Sequence, residues 1–358
     1  MIAVDRQREM IVKPLLVRAI VSPELVCDTR VDIAAAMRAA GASFVHAAVE
    51  RLDPASGIAI LSDGRRIPFD YAVLATGREP DWQHVPGLVR RFGGVCDDFL
   101  ARHSGYSNKE WRGGEYLFLA APLVGSELQP LDHPLYESAL LLDAHLRREG
   151  LRKRTQISIV TPRTAVWSDA GSRVQRLMAD IFAQRGIRVF TRARPVQVVD
   201  RVLQVDLPSG RGEIPFDRLV AIPPFRGSTL ATKSGLADAS GWVAADDRQR
   251  HPGHPNVYVI GDISARSVPK TGHSAMVSAR VAMQDLVARH MGRTPPPLPA
   301  PIVLAITELG QGRAMFVRDD TVFGGHIEQA WTGRLPYWGK SAFLQTFRWL
   351  RGNLPIMP

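Results

Sequence analysis

An acidic residue follows a short apolar run late in the chain. Residues 257–260 are aliphatic or aromatic, which predicts a buried strand, and the next two residues are Gly261 and Asp262. A glycine lets a ligand approach the backbone closely, and a carboxylate at the carboxyl end of a strand suits a polar ligand group. Gly261 and Asp262 are therefore candidate binding residues, although a Gly-Asp pair is common and is weak evidence by itself.

A second candidate segment leads into a helix. Residues 274–290 have a helical pattern that stops before Gly292. The first turn of a helix presents free N–H groups and the positive end of the helix dipole, so it stabilises negative charge on a bound ligand. The candidate residues that lead into this helix are Lys270, Thr271, Gly272 and His273.

The N-terminal part of the chain predicts alternating strands and helices. A strand at residues 2–4 ends at Asp5, and a helix over residues 31–40 has Asp28 and Thr29 as caps. The next expected elements are a strand pair that starts over residues 44–52, a hairpin over 58–61 and 67–69 with Asp63-Gly64 at its turn, and a strand at 71–74, buried on both faces, that ends in Ala75-Thr76-Gly77.

A second unit begins near residue 115 and alternates regularly. Strand and helix patterns in turn predict a parallel, doubly wound sheet. The sequence Ile-Pro-Phe-Asp followed by an apolar run occurs at 67–74 and again at 214–221, which indicates a duplicated unit unless the two strands are similar by chance. The expected elements are strands at 116–121, 157–160, 187–190 and 218–222, helices at 136–148 and 172–185, and a hairpin over 196–200 and 203–207.

Several of these segments resemble one family. The run NVYVIGDIS…PKTGHSAMVSARVA at 256–282 looks like the second FAD motif of the flavin disulfide-reductase superfamily. More closely, it resembles the branch that holds the sulfide:quinone oxidoreductases and the flavoprotein of flavocytochrome c sulfide dehydrogenase. Further segments that look like this branch are FDYAVLATG at 69–77, HPLYESALLLDAHLRREG at 133–150, FDRLVAIPPFRG at 216–227 and SGLADASGWVAAD at 234–246.

The resemblance implies a fold, a cofactor and a set of binding residues. It implies an α/β protein with two Rossmann-like domains and bound FAD. Asp262 would lie near the flavin ribityl chain, and the residues from Lys270 to His273 would lie near the isoalloxazine. The other FAD-binding residues that the resemblance implies are Asp5, at the adenosine ribose, together with Val49, Ala75, Thr76, Gly77 and Gly261.

The first departure from the family concerns glycine loops. The family opens with a strand and a GxGxxG turn, and this sequence begins at the equivalent of the second strand, so roughly 30 residues of the family pattern are missing. Either a start lies upstream or the protein lacks the loop. Residues 122–126 also lack GxGxxG in the second unit. That departure disfavours NAD(P)H and the related type II NADH dehydrogenases.

The second departure concerns cysteines, which the family uses to hold sulfur beside the flavin. The stretches that carry them in the family are residues 129–133 and 305–314 here, and neither contains a cysteine. Cys96 is the candidate catalytic thiol, with an ordinary loop or buried thiol as the alternative. With only Cys27 besides it, neither a disulfide framework nor a cysteine-rich metal site is expected.

Composition narrows the choice of partners. The net charge is +10, and six of the 45 basic residues are Lys, the others being Arg. This excess is explained by coding bias or by attraction to an anionic membrane surface, whereas no nucleic-acid module or metal-ligand spacing occurs. No apolar run is long enough to span a bilayer, and residues 1–10 do not form a secretory signal.

The C-terminal segment offers a membrane hypothesis. Ala342, Phe343, Phe347 and Leu350 are spaced for one helical face, which would lie in the membrane interface or pack within the protein or a dimer. The residues that frame this face are Trp338, Lys340, Arg348, Trp349 and Arg351.

The sequence thus predicts an FAD-dependent oxidoreductase that passes two electrons from a small reduced donor, sulfide by resemblance, to a quinone. The FAD domain comprises residues 1–110 and 226–293, the second domain 111–225, and a separate C-terminal membrane or dimer element 294–358. We expect a cytoplasmic protein that is peripheral on the inner face of the cell membrane. The sequence does not decide between a monomer and a homo-oligomer. The alternatives are a type II NADH:quinone dehydrogenase and a non-catalytic homologue or gene fragment without FAD.

Overall fold

The structure, a computed structural model, describes residues 1–22, 25, 29–89, 112–126 and 132–352. It is a mixed α/β protein built largely from small sheets. The helices of the described residues are α1 Lys13–Leu16, α2 Ile33–Ala39, α3 His133–Arg148, α4 Ser172–Gln184, α5 Thr229–Lys233, α6 Gly272–His290 and α7 Arg334–Trp349.

The strands fall into an N-terminal and a C-terminal group. Those before residue 130 are β1 Ile2–Asp5, β2 Glu9–Ile11, β3 Arg30–Asp32, β4 Ser43–His46, β5 Val49–Asp53, β6 Ile58–Leu61, β7 Arg66–Pro68, β8 Ala72–Leu74, β9 Glu79–Pro80 and β10 Gly114–Ala120. The later strands are β11 Thr155–Val160, β12 Ile187–Phe190, β13 Arg194–Val199, β14 Val202–Leu207, β15 Gly210–Pro215, β16 Arg218–Ile222, β17 Phe225–Arg226, β18 Arg250–His251, β19 His254–Val259, β20 Val303–Gly310, β21 Arg313–Asp319 and β22 Glu328–Gly333.

The largest parallel sheet lies in the second unit. Its strand order is β12-β11-β10-β16, and every neighbouring pair runs parallel. The apolar end of β10, from Tyr116 to Ala120, is buried throughout, as expected for a strand covered on both faces. The parallel sheet that the alternating pattern predicted is confirmed, but it is not doubly wound. α3 and α4 both pack on the face that contains Phe118, whereas β14 and β15 cover the face that contains Leu117.

The N-terminal unit has two smaller parallel pairings. β1 pairs with β4, and β8 pairs with β19, which is bordered on its other side by the antiparallel β18. The prediction that the strand after residue 70 is buried on both faces is wrong, because Val73 is 39% exposed while Leu74 is 3% exposed. Only one face of β8 therefore meets the apolar core.

The repeated Ile-Pro-Phe-Asp sequence has a structural counterpart. The antiparallel sheet β5-β6-β7 precedes the parallel strand β8, and the antiparallel sheet β13-β14-β15 precedes the parallel strand β16. The sequence did not indicate β15 as a separate strand. The two units therefore share one order of elements, as a duplicated unit would.

The helix predicted over residues 31–40 begins later than expected. Val31 belongs to β3, which pairs antiparallel with β2, and its side chain is buried. Asp32 is the N-cap of α2, since its carboxylate accepts the Ala35 N–H. A capping carboxylate directly before the helix outweighs the helical spacing of the residues that precede it.

The C-terminal residues are not a separate element, in contrast to the prediction. β20, β21 and β22 form an antiparallel sheet, and Val303, Leu309 and Met315 lie in the same apolar core as α3 and β10. α7 packs beside this sheet, with Leu344 buried among Val12 and other apolar side chains. The core of the second unit therefore extends into the C-terminal region.

Candidate functional site

Two glycine turns meet at one edge of the β8–β19 pairing. Val259 lies opposite Leu74, and the Ile260 N–H donates to the Leu74 carbonyl at 3.0 Å. Because the strands run parallel, both turns emerge on the same side. Gly77 and Gly261 have φ values of 67° and 71°, a left-handed conformation that favours glycine. The structure thus brings together the two turns that the sequence suggested, at what is called here the first edge.

Helix α6 begins at the first edge and packs on the Gly-Asp turn. Thr271 is its N-cap, and its Oγ1 accepts the Ser274 N–H at 3.1 Å. The Gly261 N–H donates to Ser278 Oγ at 3.0 Å, and a Cβ on Gly261 would lie 3.6 Å from the Ala275 Cβ. The helix start and the acidic turn are therefore held against each other by α6's own side chains.

The first edge also collects charged groups. Lys270 is 5% exposed, and its Nζ donates to the Ser264 carbonyl. Burial lowers the pKa of Lys270 to about 8, the Asp262 carboxylate opposes that shift, and Arg78 and Arg266 reinforce it. Lys270 is thus close enough to Asp262 and Arg78 for their charges to act on its proton.

Arg78 is a residue that the sequence analysis missed. Its side chain is 4% exposed, its Nε lies 3.4 Å from Asp262 Oδ2, and its guanidinium lies 4.1 Å from the centre of the Phe225 ring. Phe225 follows the Pro-Pro turn, where β17 pairs with β9. Its position directly after Gly77 could have identified it, because a residue that follows the turn after β8 lies at the first edge.

His273 and the alanine-threonine turn complete the first edge. His273 is half-buried, and burial together with the nearby Arg280 lowers its pKa. Ala75 and Thr76 are exposed, as is Gly272. The edge therefore combines exposed small residues with buried charges, an arrangement that can receive an extended polar ligand.

The carboxyl ends of β10 and β11 form a second edge with different contents. Asp132 is fully buried, accepts hydrogen bonds from Tyr136 and Thr161 hydroxyls, and lies 3.0 Å from Arg163 Nε. Arg163 also pairs with Asp169 at 3.3 Å. Both carboxylates thus form ion pairs with Arg163, while Asp132 Oδ1 and Asp169 Oδ2 make no hydrogen bond to any described residue.

His133 extends the second edge. Its Nε2 lies 2.8 Å from Asp169 Oδ1, and its ring stacks 4.1 Å from the Trp167 ring. Burial alone would raise the pKa of Asp169, but His133 and Arg163 together hold it well below the usual range. A carboxylate, Asp132, precedes α3 at the place where a dinucleotide phosphate would need free donors. The second edge therefore does not fit NAD(P)H.

A third charged cluster lies beneath α7. Glu137 of α3 and Lys340 of α7 form a buried ion pair, and Lys340 Nζ is also 3.4 Å from Glu308. Arg18 Nε pairs with Glu308 at 2.8 Å. Burial raises the pKa of Glu137, an effect that Glu308 increases and Lys340 opposes. A basic residue expected to frame a membrane-facing helix is instead buried in this cluster.

Comparison with known proteins finds similar sequences and structures. The model of the pyridine nucleotide-disulphide oxidoreductases matches residues 139–284. The sulfide-quinone reductase of Aquifex aeolicus is 23% identical over 350 residues, which cover 92% of this chain and 80% of that protein. The solved structure of the sulfide:quinone oxidoreductase from Aquifex aeolicus has a TM-score of 0.81 at 20% identity and covers 98% of this chain and 85% of that chain.

The chain is thus similar to the sulfide:quinone oxidoreductases in sequence and in fold, and its middle part matches the pyridine nucleotide-disulphide oxidoreductase model. A mitochondrial sulfide:quinone oxidoreductase of Dictyostelium discoideum is 23% identical over 261 residues, 70% of this chain and 57% of that protein. The chain thus spans little more than half of that relative. The two-domain fold expected from the sequence is confirmed by the match to the Aquifex structure.

Some residues suggested by the resemblance lie away from the first edge's charges. Asp5 ends β1, and its carboxylate accepts the Gln7 N–H at 2.7 Å. Val49 lies on β5 and packs against the apolar cluster that contains Leu74 and Val257. Their roles in binding the family's cofactor stay predictions. Cys96, the candidate catalytic thiol, and Cys27 lie outside the described residues.

The helix proposed for the membrane exposes a different face from the expected one. Phe343 and Phe347 are partly buried and pack against the cluster of Val12, Val31 and Ala36, so the aromatic residues of the predicted face contact the protein. Ala342 of the same face is exposed. The large apolar side chains that α7 exposes are instead Leu335, Trp338 and Trp349, at 71%, 60% and 81% exposure.

A surface cavity of about 470 Å³ lies beside α7. Its lining includes Arg348, Trp349 and Arg351 on one side and Arg30 on the other, and it contains none of the first-edge residues. No helix among the described residues is both long and apolar enough to cross a bilayer. Within the same residues, no cluster of histidine, cysteine and acidic side chains could hold a metal ion.

Proposed function

We propose that this protein is an FAD-dependent oxidoreductase that passes two electrons from a small reduced donor to a quinone. One observation supports the proposal: Gly77, Gly261-Asp262 and the start of α6 lie together at the first edge. Two buried cations, Arg78 and Lys270, lie at the same edge. This edge fits FAD because it offers a carboxylate for hydroxyl groups and N–H donors for anionic oxygens. When bound, FAD would supply the two-electron chemistry.

The residues of the first edge would hold and orient the cofactor. Asp262 would accept hydrogen bonds from ligand hydroxyls, and Gly77 and Gly261 would let the backbone come close. Lys270 would place a positive charge beside Asp262, and the start of α6 would add the favourable end of its dipole. Lys270 and the start of α6 therefore favour a ligand that carries negative charge, and Asp262 favours one that also carries hydroxyl groups.

The names of the relatives suggest the electron donor. Sulfide is the donor that the relatives' names give. The two stretches that match the family's cysteine positions contain none in this sequence. Sulfide is therefore the first donor to test, without a persulfide on those stretches as its assumed route.

The Glu137–Lys340–Glu308 cluster supports a quinone as the acceptor. Quinone reduction takes up two protons together with two electrons, so a quinone site needs a group that can hold a proton. Burial raises the pKa of Glu137, and Lys340 lies against it as a second proton-bearing group. The cluster lies under α7, whose outer face is aromatic and apolar.

That outer face supports a peripheral position on an anionic membrane. Trp338 and Trp349 are of the type that settles at a membrane interface, and the neighbouring cavity contributes Arg348 and Arg351. A quinone dissolved in the bilayer would then approach from the α7 side.

Flavin titration and half-reactions test the proposal. The purified chain is titrated with FAD, and the bound flavin is followed by its visible absorbance. We expect binding, then anaerobic bleaching by sulfide and recovery of the colour on addition of a soluble quinone. Bleaching by NADH but not by sulfide would favour a type II NADH dehydrogenase, and a folded protein that stays colourless in excess FAD would favour a non-catalytic homologue.

A further inference from the structure

The Arg78 guanidinium has donors without acceptors. Its Nε and Nη1 are buried, and neither makes a hydrogen bond to any residue that the structure describes. Its contacts are an ion pair with Asp262 at 3.4 Å and the face of the Phe225 ring at 4.1 Å. Buried donors are nearly always satisfied, so these two N–H groups point to an acceptor that the described residues do not supply.

The charges around Arg78 indicate the sign of that acceptor. Arg78 and Lys270 are both buried cations, and Asp262 is the carboxylate that acts on both of them among the described residues. Arg266 is partly exposed and already pairs with Asp247 at 2.8 Å. Because an excess of buried positive charge is costly, an anion at this position would lower the free energy of the edge.

The geometry of a guanidinium indicates which class of anion would bind to Arg78. The Nε–H and Nη1–H bonds lie in one plane and diverge, so they suit separate oxygens of one extended anion such as a diphosphate, whereas an ammonium is a compact point charge. The first edge lies where two parallel strands end and a 19-residue helix begins, the position where α/β proteins bind the phosphates of nucleotides. A phosphate is thus the anion that both the residue and its place in the fold favour.

We propose that Arg78 donates its two unused N–H groups to phosphate oxygens of the FAD diphosphate. This inference rests on the proposed function. It implies that Arg78 favours flavins that carry phosphate over riboflavin. A contact between Arg78 and the isoalloxazine is the competing arrangement. The two differ in which part of the cofactor depends on Arg78.

Ligand fragments separate the two arrangements. Affinities of FAD, ADP and riboflavin are measured by calorimetry for the wild type, Arg78→Gln and Arg78→Lys. ADP carries the diphosphate without the flavin, and riboflavin carries the flavin without any phosphate. Arg65→Gln is the matched control, because Arg65 is exposed, pairs with Asp63 at 2.7 Å and loses the same charge.

We expect Arg78→Gln to weaken FAD and ADP about 10- to 100-fold, as the loss of charge-assisted hydrogen bonds does. Arg78→Lys should weaken them less, because it keeps the charge but loses the two diverging N–H bonds. Riboflavin should bind the wild type and Arg78→Gln within about twofold, and Arg65→Gln should match the wild type with every ligand.

Other outcomes would overturn one claim or the other. If Arg78→Gln binds FAD as the wild type does, or if riboflavin weakens as much as FAD, Arg78 does not bind the diphosphate although the flavoprotein function stands. If the wild type binds ADP through Arg78 but rejects FAD, the phosphate contact stands and the FAD function fails. A wild type that binds neither ligand contradicts both.

Folding is checked by thermal unfolding of the ligand-free variants. The Arg78→Gln chain should unfold within a few degrees of the wild type, since it loses a cation with unused donors and leaves Asp262 partly solvated. Excess FAD should raise the midpoint of the wild type and of Arg65→Gln more than that of Arg78→Gln. Equal shifts in all three would contradict the proposal independently of the affinities.

Discussion

The two parallel sheets end in edges of opposite character. At the first edge, Arg78 and Lys270 outnumber Asp262, and Arg78 keeps two donors unused. At the second edge, Asp132 and Asp169 are held by Arg163 and His133. The same order of elements therefore produces one edge where we propose a bound anion and one where acidic and basic side chains pair with each other. A shared fold does not assign a shared function, and the difference lies in a few charged residues.

Replacing the buried arginine of each edge tests whether the two edges differ in stability. Arg163→Met would leave Asp132 fully buried with its charge unmatched, so we expect the free energy of unfolding to fall by about 3–5 kcal/mol. The ligand-free Arg78→Met variant should change by about 1 kcal/mol or less, because Asp262 is partly exposed. Urea unfolding measures both, with Arg65→Gln as the surface control. Equal losses would mean that the two edges do not differ as described.

Replacing Glu137 should have the next largest effect, and it should slow electron transfer to the quinone without slowing reduction of the flavin. Glu137→Gln keeps the shape but removes the proton-holding group, so reoxidation of the reduced flavin by quinone should slow about 100-fold, within the usual range for an acid-base group. Reduction by the donor should stay unchanged. Stopped-flow measurement of the two half-reactions checks this, and an equal slowing of both would place Glu137 at the donor side.

The pH dependence of cofactor binding tests the charge on Lys270. Its pKa in the folded chain is about 8, so Lys270 is protonated below that pH and loses its charge above it. Affinity for FAD should therefore fall as the pH rises through about 8 to 9, because the anion has one cation fewer to meet. Lys270→Arg should bind with little pH dependence over this range. A wild-type affinity that rises with pH would contradict the assignment.

The aromatic face of α7 carries the smallest expected effect. Replacing Trp338 and Trp349 by Ser should lower binding to vesicles of anionic phospholipid about three- to tenfold and leave FAD affinity unchanged. Sedimentation with vesicles measures the bound fraction. Phe343→Leu is the control, since Phe343 packs inside the protein. Undiminished sedimentation of the double variant would remove α7 from the membrane contact.

Local patterns predicted the frame of the first edge. The apolar runs of β8 and β19 and the glycines after them are features of short stretches, and the structure places them as expected. α6 begins at Gly272, two residues before the predicted start, with Thr271 as a cap that the sequence analysis did not name. The early start given to α2 was wrong because the pattern alone did not reveal that Val31 pairs with β2.

The charged contacts could not be predicted in the same way. Glu137 and Lys340 are 203 positions apart, and Arg78 meets Asp262 only because β8 and β19 pair in parallel. Likewise, Phe343 and Phe347 have the spacing of an outer face, but their environment is set by α2 and the N-terminal strands. Such contacts depend on how distant elements pack, which spacing along one helix does not encode.

Equilibrium binding of FAD and NADH to the wild-type chain is the most direct measurement of the difference between the two edges. The account predicts that the folded protein takes up FAD, that ADP competes with it, and that NADH at the same concentrations neither binds nor displaces it. Binding of NADH that is lost on substitution of the Asp132–Arg163 network, with no uptake of FAD, would contradict it.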